Sequence, residues 1–211
     1  MRRPPRIHFS FRSPFSWMTV ELLRRRVPDA MEAIRFIPFW DPDERTSRGL
    51  EERGGQFHYT QMSKAKHLYI LQDTKRLAQR HGFPMVWPVD IDPWWELPHL
   101  AWLRAQRCGL AEPFYDALIR ARWHRGEDIC QTEAIRAAAK EAGADPDLLA
   151  GAVDDDEIRA EAVDCLFEAW RDDIFGIPYM RVGRHRFWGL DRLDDFLDAY
   201  LPLRDESEVP R

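Results

Sequence analysis

Residues 7–17 read IHFSFRSPFSW, a short alternating apolar run that leads directly into Ser13-Pro14. Serine followed by proline is typical of a helix start, with the serine as N-cap and the proline at the first helical position. The stretch therefore predicts a strand that feeds a helix. Residues 34–39 read IRFIPF and predict a second strand, so the chain opens in the order β-α-β.

The pattern changes twice along the rest of the chain. Between about residues 60 and 172 the apolar residues follow the helical period, which predicts that the middle is all helix. After Gly176 the period returns to two, and residues 179–183 and 185–189 predict two strands. A final helix is expected to start at Asp191.

These blocks predict an α/β protein in which one sheet is interrupted by helices. A first β-α-β part covers residues 1–42, a helical insertion covers residues 43–156, and an α-β-β-α part covers residues 157–211. Joining the first and last parts into one sheet makes the middle an inserted domain.

Composition excludes several classes of function. The chain has 211 residues with 31 Lys+Arg against 36 Asp+Glu, which is not the balance of a nucleic-acid binder. No apolar run approaches the roughly 20 residues of a membrane span, and the N-terminus lacks the apolar core of a secretion signal, so a cytoplasmic location is expected. Cys108, Cys130 and Cys165 form neither a C-x-x-C pair nor a zinc pattern, so we expect no dithiol centre and no metal.

Short motifs in a fixed order resemble one family. RSPFSW at residues 12–17, GIP at 176–178 and FWGLDRL at 187–193 together resemble 2-hydroxychromene-2-carboxylate isomerases and the related kappa-class glutathione transferases. The pattern K-x-x-Y-x-x-x-D at residues 66–73, followed by GFP at 82–84, resembles the first insert helix of that family. The resemblance covers nearly the whole chain and implies a DsbA-like thioredoxin fold with an inserted helical domain, in a homodimer.

Ser13 is the candidate catalytic residue. Ser13 and Ser16 keep the spacing of a redox C-x-x-C motif but carry hydroxyl groups, so the protein itself cannot exchange disulfides there. A helix N-terminus still stabilises a thiolate that another molecule brings. The resemblance implies that this molecule is glutathione, or another small thiol, and that Ser13 hydrogen-bonds its sulfur. The alternative is that Ser13 is only an N-cap, worth about 1 kcal/mol.

The resemblance also implies residues that bind the rest of the thiol cofactor. The Ile177-Pro178 bond would be cis, with the Ile177 backbone pairing the cysteinyl part, although a trans proline that opens a strand is the alternative. Leu190 and Asp191 would receive the γ-glutamyl end, unless Asp191 is only a helix cap. Lys66 matches a basic family position, and a solvated lysine is the competing interpretation.

One position departs from the family pattern. Members often carry an asparagine about twelve residues before the tyrosine that matches Tyr69, and here that position is Phe57. The surrounding residues 44–64, with His58, Thr60 and Gln61, resemble the family least. Long loops over a pocket often set specificity, so we expect the substrate preference to depend on this segment.

The chemistry expected of such a site is isomerisation. A thiolate beside a conjugated alkene can add and leave again, which converts cis to trans without consuming the thiol. Phe15, Ser16, Trp17 and Trp40 are the expected lining for a flat aromatic or polyene substrate, free or carrier-bound. The alternatives are a kappa-like glutathione transferase, and a thiol-independent isomerase or binding protein for a tethered unsaturated acyl chain.

Overall fold

The structure is a computed structural model that describes residues 3–58 and 62–208, so Thr60 and Gln61 of the predicted specificity segment lie outside it. The chain forms two compact units. The first consists of Met1–Pro38 and Gly176–Arg211, and the second is Phe39–Phe175.

Helices and strands are numbered in the order in which they occur along the chain. The opening part of the first unit contains β1 (Arg6–Phe9), α1 (Pro14–Arg26), α2 (Ala30–Ala33) and β2 (Arg35–Pro38). The second unit contains α3 (Glu44–Glu52), α4 (Lys64–Arg80), α5 (Glu96–Arg107), α6 (Ala111–Ile119), a π-helical turn (Arg120–His124), α7 (Thr132–Glu141), α8 (Pro146–Ala150), a 3-10 turn (Gly151–Asp154) and α9 (Asp156–Arg171). The first unit resumes with β3 (Tyr179–Val182), β4 (His185–Trp188), a 3-10 turn (Leu190–Arg192) and α10 (Leu193–Glu208).

The two parts of the first unit share one mixed sheet. Its strand order is β2-β1-β3-β4, with β1 parallel to β2 and antiparallel to β3, and β3 antiparallel to β4. Ile7 lies at the centre, opposite Phe36 on one neighbouring strand and Met180 on the other. Because β1 from the start of the chain pairs with β3 from its end, the sheet closes only after the insertion. The predicted α/β fold with an inserted helical domain is confirmed.

Helix α9 differs from its predicted place. The sequence pattern assigned residues 157–211 to the last part of the sheet domain. In the structure, α9 belongs to the compact helical unit instead. The physical reason is that α9 packs on α3 and α5, and it buries Ile158, Ala162 and Leu166. The unit boundaries therefore lie after Pro38 and Phe175.

The last helix also begins later than expected. Asp191 belongs to the 3-10 turn, and α10 begins at Leu193. The N–H of Arg192 donates to the Gly189 carbonyl at 3.2 Å, which tightens the chain into that turn before the helix starts. Phe196 and Leu197 of α10 are fully buried in the first unit.

A buried ionic cluster ties three helices of the second unit. Asp43 caps α3 by accepting the Thr46 N–H at 2.9 Å, and its other oxygen accepts from Arg159 on α9 at 2.8 Å. Glu96 at the start of α5 accepts the Asp43 N–H at 2.9 Å and lies 3.6 Å from Arg159. Because each side chain is shared between elements, the cluster fixes α3, α5 and α9 to one another.

Helix α4 is the least buried long helix of this unit, because only Thr74 and Ala78 among its residues are buried. Leu68 and Tyr69 on the same helix are at least half exposed.

No helix within residues 3–58 and 62–208 has the length and apolarity that a membrane span requires. The same residues contain no group of three potential metal ligands.

Candidate functional site

Ser13 caps α1, as its sequence context predicts. Its Oγ accepts the Ser16 N–H at 3.1 Å, and its carbonyl accepts the Trp17 N–H at 3.1 Å. A serine hydroxyl carries two acceptor positions and one donor, so the cap bond leaves the O–H of Ser13 able to donate. The residue is half-buried. Capping the helix and donating to a bound anion are therefore compatible roles for Ser13.

The first turn of α1 keeps one backbone donor available. Pro14 has no N–H, and the N–H of Ser16 is taken by Ser13. Among the described residues, no acceptor pairs with the N–H of Phe15. The half-positive charge of a helix N-terminus adds to this donor. The start of α1 thus presents a hydroxyl and an N–H to an anion.

The Ile177-Pro178 peptide bond is cis. Ile177 is half-buried, and nothing in the described part of the chain hydrogen-bonds to its N–H or its carbonyl. Trp188 lies against the preceding residue, since a Cβ built on Gly176 would be 2.8 Å from the indole Nε1. A side chain at position 176 would therefore displace the Trp188 indole, and Ile177 keeps two backbone groups free to pair with a peptide.

The segment after β4 is joined to this proline. The N–H of Gly189 donates to the carbonyl of Pro178 at 3.0 Å. Gly189 has a φ of 103°, a conformation that L side chains rarely adopt. The following turn also contacts α1. Within the first unit, the three predicted segments around Ser13, Ile177-Pro178 and Leu190-Asp191 are therefore linked.

Leu190 and Asp191 supply two backbone N–H donors and a carboxylate. Their backbone N–H groups have no acceptor among the described residues. The Asp191 carboxylate is exposed, and its ion pair with Arg192 is long at 3.5 Å. The turn is preceded by Gly189 and shows no side-chain cap bond. Asp191 therefore does not cap this turn, and its part in binding stays a prediction.

The predicted pocket residues lie in different surroundings. Phe15 is half-buried, whereas Ser16 and Trp17 belong to the core of the first unit. The Ser16 hydroxyl accepts the Ser10 N–H at 3.3 Å, so it serves the turn before α1. Phe15 is therefore the one of these three whose side chain keeps solvent access.

Two other predicted site residues belong to the second unit. Lys66 is exposed on α4, and its part in thiol binding stays a prediction. Trp40 is buried, and its indole stacks on His99 with ring centroids 5.0 Å apart. Burial lowers the pKa of His99 to about 3, so the neutral ring donates from Nδ1 to the Trp95 carbonyl at 2.6 Å. Trp40 thus anchors the segment that follows β2.

The second unit contains a cavity of about 600 Å³, a volume typical of small-molecule sites. Its apolar lining is Phe39, Phe57, Leu166, Trp170, Ile174 and Phe175, and its polar lining is Gln56, His58, Arg171 and Asp173. Phe39 and Phe175 are the first and last residues of this unit. Gly176-Ile177-Pro178 follows Phe175 directly in the sequence.

Sequence reasoning missed most of this cavity. It singled out Phe57 and His58 within the segment that resembles the family least, but not the lining from the end of α9. The available signal was local: Trp170 and Phe175 are large aromatic residues that precede GIP closely. Phe175 is 60% exposed and lines the cavity.

Comparison with known proteins agrees with the fold. The model of the DSBA-like thioredoxin domain matches residues 6–201. A 2-hydroxychromene-2-carboxylate isomerase from Sphingobium xenophagum is 28% identical over 200 residues, which cover 92% of this chain and 95% of that protein.

Solved structures share the fold. A 2-hydroxychromene-2-carboxylate isomerase superposes with a TM-score of 0.70 at 22% identity, covering 99% of this chain and 100% of the other. A probable DsbA oxidoreductase from Streptomyces coelicolor superposes with a TM-score of 0.68 at 15% identity, covering 99% of this chain and 92% of the other. At these identities the superpositions establish the fold alone.

Proposed function

The chain belongs to the DsbA-like thioredoxin family, and on that premise we propose that it is a glutathione-dependent cis/trans isomerase of a conjugated double bond. The 28% identical relative from Sphingobium xenophagum is named as an isomerase, which supports this class of enzyme. Ser13 and Ser16 occupy the two positions of a redox dithiol, so thiol-disulfide exchange by the chain itself is not available there. A thiol chemistry at this position needs a thiol from another molecule.

The chain's own groups suit a tripeptide thiol. The Ser13 hydroxyl and the Phe15 N–H are donors for a sulfur anion at the start of α1. The free N–H and carbonyl of Ile177 match the extended backbone of a peptide. Leu190 and Asp191 offer N–H donors for a carboxylate and a carboxylate for an ammonium, which suits the zwitterionic γ-glutamyl end.

Glutathione, when bound as a thiolate, supplies a nucleophile that adds reversibly to a conjugated alkene. Ser13 and the α1 N-terminus lower the thiol pKa by stabilising the anion, which raises the thiolate fraction near neutral pH. Ile177 and the Leu190-Asp191 turn orient the cofactor at two further points. Precise placement at several points accelerates a bimolecular step by removing its orientational entropy.

One observation carries the proposal. Three segments far apart in the sequence, around Ser13, Ile177 and Asp191, are linked in one unit, and each keeps polar groups without a protein partner. Solvent-accessible donors and acceptors on three linked segments suit a ligand with a peptide backbone and charged ends.

The test is a thiol balance during turnover. The protein is incubated with 2-hydroxychromene-2-carboxylate, with and without glutathione, while product geometry and free thiol are measured. We expect isomerised product only with glutathione, and a constant thiol concentration. Loss of one thiol per product would indicate a transferase, and equal turnover without any thiol would indicate a thiol-independent enzyme. Either result contradicts the proposal.

Two further expectations concern the setting of this activity. We propose a cytoplasmic location, because a reducing compartment keeps glutathione as the thiol that the site requires. A homodimer is proposed on the family resemblance alone. Size-exclusion chromatography with light scattering tests it, and a monomer across the micromolar range would contradict it.

A further inference from the structure

Trp188, at the end of β4, contacts the segment that carries the cis bond. A Cβ built on Gly176 would lie 2.8 Å from the indole Nε1, 3.2 Å from Cε2 and 3.4 Å from Cζ2. We propose that Trp188 is a positioning residue for the thiol cofactor, because its indole packs on the bare backbone of Gly176 and so holds Ile177 in place. The pairing of Ile177 with the thiol rests on the proposed function, whereas the packing does not.

Hydrogen bonds do not hold this segment by themselves. Within the described part of the chain, no hydrogen bond involves the backbone groups of Gly176 or Ile177. Pro178 has no N–H, and its carbonyl accepts the Gly189 N–H at 3.0 Å. The two residues before the proline are therefore fixed by hydrogen bonding only through Pro178, and packing supplies the rest.

The sheet fixes the position of Trp188 itself. Strand β4 pairs with β3 so that Trp188 lies opposite Tyr179, and the neighbouring Phe187 contacts Phe196 of α10 with ring centroids 6.0 Å apart. Successive side chains of a strand point to opposite faces, so the Trp188 indole lies on the face away from α10. From its place opposite Tyr179 it reaches back to Gly176. Strand pairing thus makes the indole a fixed wall for a segment that lacks hydrogen bonds.

The absence of a side chain at residue 176 makes this contact possible. Gly176 does not have a positive φ, so its backbone conformation alone would accept alanine. The indole leaves no room for a Cβ, because real Cβ atoms essentially never approach another atom as closely as 2.8 Å. Trp188 is 51% exposed, so the loss of its ring should leave the core intact. Gly176 and Trp188 therefore form a size-matched pair beside Ile177.

The size match allows one variant to rescue another. Gly176→Ala adds a methyl group where the indole lies, so the indole or the backbone before Ile177 must move. We expect this variant to bind glutathione about tenfold more weakly, because ordering the backbone of one residue costs about that factor. Trp188→Phe shortens the ring and should restore most of the affinity in the double variant. Calorimetry measures the affinities, and a double variant that binds no better than Gly176→Ala would overturn the proposal.

An NMR signal follows Ile177 directly in the protein without glutathione. Its amide resonance is observed with isotope-labelled isoleucine and assigned through its loss in Ile177→Val. We expect it to shift in Gly176→Ala and in Trp188→Ala, and to return toward the wild-type position in the double variant. Trp87→Ala is the control and should leave it unchanged, because Trp87 is 36% exposed in the second unit and contacts Trp123 there. A resonance that moves in neither Gly176→Ala nor Trp188→Ala would refute the positioning role.

The positioning role and the proposed function can fail separately. If the Ile177 resonance responds to both variants but wild type binds no glutathione, Trp188 positions the segment and the glutathione assignment fails. If wild type binds glutathione and both Gly176→Ala and Trp188→Ala bind it equally well, the thiol site stands and Trp188 has no part in it.

Discussion

The two regions that we propose to bind ligands are built from different atoms. One uses mainly backbone groups, and the other uses side chains. In the first unit, the groups offered to a ligand are mostly backbone atoms at the ends of elements, at Phe15, Ile177 and Leu190. In the second unit, the cavity is built from side chains of separated segments. Backbone groups bind what all peptides share, whereas side chains select one ligand over another. From this difference we propose that the first unit binds the common cofactor and that the cavity of the second unit binds the more specific ligand.

The largest expected effect tests how protonation of the buried Glu96 carboxyl controls the stability of the second unit. Burial raises the pKa of Glu96 to about 7, although the hydrogen bond from the Asp43 N–H lowers it. The folded state therefore binds the proton more tightly than the unfolded state. This stability is complete below the unfolded pKa near 4.5 and is lost as the pH rises through about 7.

Glu96→Gln removes this titration and keeps an oxygen that can accept the Asp43 N–H. Urea unfolding at pH 5 and pH 8 should show that wild type loses about 2–3 kcal/mol relative to the variant over that interval. Burial lowers the pKa of His99, but both proteins retain His99, so its contribution cancels. Glu52→Gln, at an exposed site on α3, should show no such change. A pH-independent difference between wild type and Glu96→Gln would contradict this account.

Asp191→Asn tests the side-chain contribution to the thiol site. The change removes the charge and keeps the shape, so glutathione binding should weaken by about 1.5–3 kcal/mol while stability hardly changes. Calorimetry measures the affinity. Asp195→Asn is the control, because Asp195 lies 3.6 Å from the same Arg192 and is given no part in binding. Equal affinity in Asp191→Asn and wild type would remove Asp191 from the site.

Ser13→Ala separates the cap from the thiol contact. Loss of the cap should cost about 1 kcal/mol of stability. Ser63→Ala removes an equivalent cap, since Ser63 Oγ accepts the Lys66 N–H at 3.2 Å, and should cost about as much. Only Ser13→Ala is expected to raise the pKa of bound glutathione, which ultraviolet absorbance of the thiolate follows during a pH titration. If the pKa of bound glutathione is the same in Ser13→Ala and Ser63→Ala, Ser13 serves only as a helix cap.

The smallest effect concerns the departure from the family pattern. Phe57→Asn removes one aromatic wall of the cavity and should weaken the binding of trans-cinnamamide, a flat neutral probe, by about threefold. Glutathione affinity should not change, because Phe57 is assigned to the cavity and not to the thiol site. A marked gain in glutathione affinity would show that position 57 serves the cofactor, and would blur the distinction between the two regions.

The contrast also explains what the sequence could and could not predict. The α1 start at Ser13-Pro14 and the turn at Gly189 depend on local backbone chemistry, and local motifs carry that information. The cavity needs Phe39, residues 56–58 and the end of α9 to come together, which only tertiary packing decides. The burial of Trp40 against His99 has the same origin. The sequence pattern did not assign α9 to the helical unit, because the apolar stripe of a helix does not specify which elements it packs against.

A crystal structure with bound glutathione tests the central claim most directly. The account predicts the sulfur within hydrogen-bond distance of the Ser13 hydroxyl, and the cysteinyl backbone paired with Ile177. It also predicts the γ-glutamyl ammonium on the Asp191 carboxylate. A tripeptide bound in the aromatic cavity, or in the first unit with its sulfur away from Ser13, would contradict the account.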